Sequence, residues 1–164
     1  MNFSDPFGLI PYVNCRPVTD NPRYGHCAVR VVDARRNLDV TIEMIPGSPD
    51  ISAPFGRKDV YRSGPDHART KAYDPEGWVQ VATPEGMTDQ EFDTAVLHAA
   101  VEVAGEERGQ PYMFTGEQNS NRFVYSVITR AGGKVPGAPT RKFPKGAPGA
   151  CGGKGMETGT DCQN

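Results

Sequence analysis

Two neighbouring stretches in the first third of the chain alternate between apolar and polar positions. Residues 23–33 have the sequence RYGHCAVRVVD, and residues 38–46 have the sequence LDVTIEMIP. One face of each stretch is apolar, with Cys27, Val29 and Val31 on the first and Val40, Ile42 and Met44 on the second. The opposite face carries His26, Ala28 and Arg30 on the first and Asp39, Thr41 and Glu43 on the second. Because a period of two is typical of half-buried strands and ARRN between them is a turn, the pattern predicts an antiparallel hairpin.

Apolar residues recur at helical spacing in two later segments. In the first, Thr88 and Glu91 have the spacing of a capping box, and Gly109 follows the last apolar position. In the second, Asn119 or Ser120 is a natural N-cap, and a pair of glycines ends the helix. The apolar positions are Phe92, Val96, Ala99 and Val103 in the first helix and Phe123, Val124, Val127, Ile128 and Ala131 in the second. The spacing therefore predicts two amphipathic helices.

Turn-forming residues dominate much of the remaining chain. Residues 46–75 are rich in Gly, Pro, Ser and Asp, which indicates a long loop that carries His67 and could fold over a site as a lid. A short strand is expected in GWVQVAT, residues 77–83. Residues 134–164 are rich in Gly and Pro and have no periodic element, which predicts a weakly structured tail. We therefore expect an α+β fold in which a small antiparallel sheet packs against two helices.

Charge, hydropathy and cysteine spacing narrow the classes of function. The net charge is −2, so no basic field attracts nucleic acid, and no nucleic-acid partner is expected. No apolar run approaches the roughly 18 residues of a membrane span. No CxxC spacing occurs, and neither a metal nor a cofactor is expected, although Cys15 could be imagined near His26 and Cys27 in a metal site. Cys27 is expected as a small buried residue, and Cys151 and Cys162 could form a disulfide in an oxidising compartment.

The first residues, NFSDPFGL, resemble the closing motif of the Rhs-repeat core, with Asp5, Pro6, Gly8 and Leu9 in matching positions. In that family the core is a shell that encloses a variable C-terminal toxin and is cut near this motif. The resemblance implies that residues 1–10 are the end of the core and the cleavage boundary. Residues 11–133 are then a toxin domain, and residues 134–164 are its tail. It also implies delivery into the periplasm or cytoplasm of a target bacterial cell, as by type VI secretion. Two partners are implied, the Rhs shell before release and a cognate immunity protein.

Two further segments, GHCAVRVV and NSNRFVYSVITRAG, resemble a circularly permuted papain-like domain of the NlpC/P60 and lecithin:retinol acyltransferase type. In that family a histidine on a strand comes first, and the nucleophile follows later at the start of a helix. Asn119, Ser120, Phe123 and Val124 match the later pattern, with serine where the family has cysteine. His26 matches the earlier one. The resemblance implies a hydrolase or acyltransferase acting on an amide or ester bond.

The serine changes what the site requires. A cysteine at a helix start ionises readily, whereas a serine needs a general base that takes its proton during attack. His26 is the candidate base, and Glu43 or Thr41 on the polar face of the next strand could hold its imidazole. Backbone N–H groups at the helix start could stabilise an oxyanion, and Asn119 or Asn121 could add a side-chain donor or contact the substrate.

Other roles for these residues and for the domain stay open. Ser120 could be only a helix cap, and His26 could be a core histidine whose hydrogen bonds are satisfied. The domain could belong to another class of Rhs toxin, such as a nuclease or an ADP-ribosyltransferase, although neither a metal-ligand cluster nor an E-x-E motif is present. It could also be a binding module that keeps the fold without the reaction.

Overall fold

The predicted hairpin forms the centre of the sheet. The computed structural model of the chain describes residues 10–17, 25–64, 77–113 and 119–135. Strands β2 (Gly25–Asp33) and β3 (Leu38–Pro46) pair antiparallel, with Ala28 opposite Glu43 at one end of the ladder. A single 3-10 turn connects them, and the Asp33 carboxylate caps it by accepting hydrogen bonds from two turn amides. The predicted hairpin and its two faces are therefore confirmed.

Three more strands complete an antiparallel sheet. They are β1 (Tyr12–Pro17), β4 (Lys58–Ser63) and β5 (Val79–Gln80), and the strand order is β4-β3-β2-β1-β5. Strand β4 lies inside the segment 46–75, which the composition indicated was a loop, and that interpretation was wrong for this part. The reason is that β4 turns Lys58 and Arg62 to the same face as Val60, so its apolar alternation is broken.

Both predicted helices are present and pack with the apolar face of the sheet in one core. Helix α1 spans Asp89–Glu107 and helix α2 spans Ser120–Arg130. Thr88 caps α1 through the predicted capping box with Glu91, and Gly109 beyond the end has a φ of 82°. The core includes every apolar position predicted for the two helices. The α+β class, with a small antiparallel sheet and two helices, is therefore confirmed.

The opposite face of the sheet is polar and yet largely buried. Its buried polar residues are Asn14 on β1, His26 on β2, and Thr41 and Glu43 on β3. Residue 77 covers part of this face so closely that a Cβ there would lie 2.8 Å from the Asn14 side-chain oxygen. The Trp78 ring lies beside Arg30, with 5.8 Å between the guanidinium carbon and the ring centroid. Buried polar groups reduce stability unless they are paired. The buried polar residues of this face are therefore the candidates for a functional site.

A disulfide joins the first two strands. Cys15 and Cys27 are opposite each other in the β1–β2 ladder and are bonded. Cys27 is buried as expected, but this bond was not anticipated, because the sequence does not show which strands are neighbours. The predicted pair of Cys151 and Cys162 lies outside the described residues, as do His67 and the four boundary residues Asp5, Pro6, Gly8 and Leu9. In the part of the chain that the structure describes, no helix is long and apolar enough to cross a membrane.

Candidate active site

His26 and Glu43 form a buried pair on the polar face of the sheet. Their Nε2 and Oε2 atoms lie 2.6 Å apart, and the residues are 5% and 2% exposed. The direct partner of Glu43 is Ala28, so His26, two residues earlier on the same face, is its diagonal neighbour. With Glu43 ionised, its carboxylate only accepts hydrogen bonds, which assigns the role of donor to Nε2. Nδ1 is then the ring nitrogen that faces away from this bond and can exchange a proton.

The start of α2 is capped by Asn119 and not by Ser120. The Oδ1 atom of Asn119 accepts hydrogen bonds from the backbone amides of Asn121, at 3.0 Å, and Arg122, at 3.1 Å. Ser120 is the first residue inside the helix. The sequence left open that Ser120 serves as the cap, and the structure assigns that role to its neighbour. The hydroxyl of Ser120 is therefore available for another contact.

That hydroxyl is held against the strand that carries His26. The backbone N–H of Cys27 donates to the Ser120 Oγ over 3.3 Å, and Ser120 is 1% exposed. The Cα atoms of Cys15 and Cys27 are 4.0 Å apart, the close spacing of a pair without ladder hydrogen bonds, so the Cys27 amide does not point at β1. On its other side the β2–β3 ladder ends at Ala28. The serine hydroxyl therefore accepts a hydrogen bond from a backbone N–H that has no partner in the β1–β2 and β2–β3 ladders.

The Ser120 hydroxyl has a long hydrogen bond to Asn121 and a side-chain hydrogen bond with Tyr112. The side-chain oxygen of Asn121 lies 3.4 Å from Ser120 Oγ, which is long for a hydrogen bond between two oxygens. Asn121 itself is 2% exposed. The bond that the hydroxyl accepts from Cys27, at 3.3 Å, and the one that it donates to Asn121, at 3.4 Å, are both long. Of the two predicted asparagines, Asn121 thus contacts the hydroxyl, while Asn119 organises the helix start.

Tyr112 joins the cluster from the segment after α1. The backbone N–H of Ser120 donates to the Tyr112 hydroxyl over 3.4 Å. Burial is the largest influence on this phenol and raises its pKa, and the nearby Glu43 carboxylate acts in the same direction. The hydrogen bonds with Ser120 and the charge of Arg16 oppose the rise in the pKa. The segment PYMF indicated only a short connector or strand, so sequence analysis missed Tyr112, whose burial and contact with α2 are tertiary features.

Thr41 has a different environment from the one predicted. It was the alternative to Glu43 for holding the imidazole, and it lies on the same face of β3. Thr41 is fully buried, and its hydroxyl has no hydrogen-bond partner in the structure, which describes residues 10–17, 25–64, 77–113 and 119–135. Of the two candidates, Glu43 is the one that contacts His26. Thr41 lines the same buried face two residues away.

The cluster contains the chemical groups that an acyl-transfer site requires. A histidine is fixed by a carboxylate, and a serine hydroxyl is bonded to the amide that directly follows this histidine in the chain. The serine is at a helix start, where backbone N–H groups and the helix dipole favour negative charge. Within the described ranges, no three His, Cys, Asp or Glu side chains gather as metal ligands.

No family model, no curated protein and no solved structure matches this chain.

Proposed function

We propose that the chain is a hydrolase or acyltransferase in which Ser120 attacks the carbonyl carbon of an amide or ester. The observation that carries the proposal is the buried His26–Glu43 pair together with a serine hydroxyl at a helix start that accepts from the amide of Cys27, the residue after His26. The order of the two elements, with the histidine strand before the serine helix, agrees with a permuted papain-like domain. A buried ionisable pair seldom adds stability over apolar side chains of similar size, so a chemical role explains its presence better than packing does.

Each group has a defined role in the proposed reaction. The Nδ1 atom of His26 takes the hydroxyl proton as the Ser120 Oγ forms its bond to the carbonyl carbon. Glu43 holds the ring through Nε2 and stabilises the imidazolium that results. The imidazolium then returns the proton to the leaving amine or alcohol, which leaves an acyl group on Ser120. Water, or a second alcohol or amine, takes that acyl group in the reverse sequence of steps.

The carbonyl oxygen becomes an oxyanion during the attack and needs donors. The start of α2 favours this charge through the helix dipole, whereas its amides at Asn121 and Arg122 already donate to the Asn119 side chain. The Tyr112 hydroxyl lies at the Ser120 amide, and its O–H is a donor that could serve an oxyanion there. We assign Tyr112 to the oxyanion side of the site and His26 to the side of the proton transfer.

The biological role that we propose is that of an interbacterial toxin. The support is the resemblance of Asp5, Pro6, Gly8 and Leu9 to the end of an Rhs core. The cognate immunity protein is then the expected partner, and covering His26 and Ser120 would neutralise an enzyme directly. Delivery would be into the periplasm or the cytoplasm of the target cell. A toxin of another class, such as a nuclease or an ADP-ribosyltransferase, and a binding module without a reaction are the alternatives.

Labelling with a fluorophosphonate tests the chemistry without knowledge of the substrate. An activated serine displaces fluoride from this probe and becomes covalently phosphonylated. We expect one label on the parent protein at Ser120 and none on Ser120→Ala. A folded His26→Ala variant should be labelled more slowly by roughly a hundredfold or more, the contribution typical of a general base. Ser126→Ala, on the same helix, is the matched control and should be labelled like the parent.

Expression in bacteria tests the role. The chain should inhibit growth when directed to the cytoplasm or the periplasm, and Ser120→Ala and His26→Ala should relieve the inhibition. Ser120→Cys supplies a different nucleophile at the same place and should keep some of the activity. If a folded His26→Ala variant is labelled and kills as the parent does, the Ser–His mechanism is wrong. Killing without any labelling would favour the nuclease or transferase class.

A further inference from the structure

The disulfide between Cys15 and Cys27 lies directly beside the candidate site. Cys27 follows His26 in β2, and its own backbone N–H donates to the Ser120 hydroxyl. Cys15 precedes Arg16, which is the register partner of His26 in β1. The bond therefore fixes the strand segment that holds both the proposed base and the proposed nucleophile. None of the roles described above uses it.

We propose that this disulfide is a redox control of the site. In the oxidised chain it holds the β2 backbone where Ser120 and His26 can work together, and its reduction by a dithiol releases that backbone and stops the reaction. The effect on activity rests on the proposed function, whereas the effect on the backbone does not.

The chemistry is a two-step thiol–disulfide exchange. One thiolate of the dithiol attacks a sulfur of the Cys15–Cys27 bond, which breaks that bond and forms a mixed disulfide with the other cysteine freed. The second thiol of the reagent then displaces the protein sulfur. Cys15 and Cys27 end as two thiols that carry two electrons and two protons from the reagent, and the reagent becomes a cyclic disulfide.

Reduction changes the geometry that the two strands can keep. In the oxidised chain the two sulfurs are at covalent distance between Cα atoms 4.0 Å apart. Two thiol sulfurs repel each other until they reach van der Waals separation, so the side chains must rotate within a tightly packed core or the strands must separate. Cys27 is 2% exposed and has little room to rotate. A shift of its backbone moves the N–H that holds Ser120.

The arrangement of the strands gives a reductant a route to the bond. Among the described residues, β5 pairs with β1 only at Tyr12 and Val13, so β1 has no strand on its outer side from Asn14 to Pro17. Cys15 lies in that half of β1 and is more exposed than Cys27, at 7% against 2%. Opening this end of β1 presents the Cys15 sulfur first. A short edge segment of this kind opens more easily than the centre of the sheet.

The consequence is a preference for an oxidising compartment. Disulfides persist in the bacterial periplasm and outside the cell, and thioredoxin and glutathione systems reduce accessible ones in the cytosol. The chain would therefore act as an enzyme where dithiol reductants are scarce. Of the two destinations open to the proposed toxin, this favours the periplasm of the target cell.

The test compares the full chain before and after treatment with dithiothreitol. Alkylation with iodoacetamide and peptide mass mapping first establish which cysteines are bonded. Hydrogen exchange then reports the amides of Cys27 and of the start of α2, and fluorophosphonate labelling reports Ser120. On reduction we expect roughly tenfold or faster exchange at the Cys27 amide, with α1 amides such as that of Val96 unchanged. We expect labelling to slow by roughly tenfold or more, as a displaced nucleophile requires.

Two double variants separate this bond from the other cysteines. Cys15→Ala/Cys27→Ala should behave like the reduced chain with or without dithiothreitol. Cys151→Ser/Cys162→Ser should keep the whole response of the parent. The proposal is overturned if the response follows Cys151 and Cys162, or if Cys15 and Cys27 are alkylated without prior reduction.

The exchange data also separate the two proposals. Unchanged exchange and labelling after reduction would overturn the redox control. A loss of protection throughout the chain would also overturn it, because the bond would then stabilise the whole fold and not the site in particular. If the Cys27 amide responds as expected while the oxidised chain is not labelled at all, the coupling of the disulfide to the Ser120 backbone is supported and the proposed enzyme mechanism is wrong.

Discussion

The His26–Glu43 pair stands where two apolar side chains would be the ordinary choice. Both residues are inside the molecule, and moving a carboxylate out of water costs several kcal/mol, which the hydrogen bond between them only partly offsets. Removing one partner would take a short hydrogen bond from the other inside the molecule, which costs about 3 kcal/mol or more. The pair is therefore difficult to change one residue at a time. This makes conservative substitutions the informative ones.

Glu43→Gln keeps the shape of the pair and removes its charge. The amide oxygen of glutamine can still accept the Nε2–H of His26, so we expect the variant to fold. It cannot stabilise an imidazolium, and fluorophosphonate labelling should slow by roughly a hundredfold or more. Glu102→Gln, an exposed carboxylate on α1, is the control and should be labelled like the parent. Unchanged labelling of Glu43→Gln, with thermal unfolding like that of the parent, would remove Glu43 from the mechanism.

Tyr112 gives stability a dependence on alkaline pH. Burial raises the pKa of its hydroxyl above the usual value of about 10, whereas the tyrosine of the unfolded chain ionises near that value. The folded chain therefore binds more protons above about pH 10, and its stability falls as the pH rises from there through the folded pKa.

In Tyr112→Phe this contribution disappears. Urea unfolding of parent and variant between roughly pH 8 and 11 measures it as the difference between the two slopes. Below about pH 10 the difference in free energy of unfolding should be constant, and above it the parent should lose stability faster. Parallel curves across the whole range would show that Tyr112 does not titrate differently in the folded chain.

At the scale of elements, the sequence predicted the strands and helices whose apolar residues recur at a regular period. Strands β2 and β3, both helices and the capping box at Thr88 follow from local patterns and were confirmed. Strand β4 was missed because Lys58 and Arg62 occupy its helix-facing side, where a buried ion pair replaces an apolar contact. The pattern of burial around Lys58 depends on Glu107, which is distant in sequence, so no local window contains it.

The features of the candidate site likewise fall into those that local patterns predict and those that they do not. His26, Glu43 and Ser120 were candidates because each lies at a recognisable place in a strand or helix. The bond between Cys15 and Cys27 requires knowledge of strand neighbours, and the role of Tyr112 requires knowledge of where its segment meets α2. Both depend on tertiary contacts. Asn119 and Ser120 as caps differ by one position in where the helix begins, and sequence patterns do not place a helix boundary that accurately.

The cap of α2 links the helix to the site. Asn119→Ala removes the acceptor of two amide hydrogen bonds, and the free energy of unfolding should fall by about 1 kcal/mol. Ser120 is the next residue, so fraying of this turn should also slow its labelling. Asn119→Asp keeps an acceptor oxygen and adds a charge that the helix start favours, so it should retain the stability. Urea unfolding and labelling of the two variants measure both effects, and equal stabilities would contradict the assignment of the cap.

At the scale of the whole molecule, a buried ion pair ties the edge of the sheet to the end of α1. The ammonium of Lys58 is 2.8 Å from a Glu107 carboxylate oxygen, and its side chain is 2% exposed. Backbone hydrogen bonds from Lys58 to Gln110 and from Gly109 to Lys58 accompany it. The β4 edge is therefore attached to the segment that leads to Tyr112.

Lys58→Ala should destabilise the whole domain. It leaves the Glu107 carboxylate without its partner and removes a buried stem, so we expect a loss of about 3 kcal/mol in the free energy of unfolding. In the double variant Lys58→Met/Glu107→Leu no charge is left buried, and most of that loss should be recovered. Urea unfolding measures the three proteins. If the double variant is no more stable than Lys58→Ala, the ion pair is not the source of the loss.

The hydrogen bond between Cys27 and Ser120 joins residues 93 positions apart in the chain. The β2–β3 hairpin closes through a four-residue turn and can form early, whereas a contact over such a long loop must first overcome a larger closure entropy. In the proposed mechanism, Ser120 therefore meets the strand of His26 only when α2 docks on the sheet. A chain that had formed the hairpin without this contact would lack the proposed site, and the proposed reaction would begin only after α2 had docked.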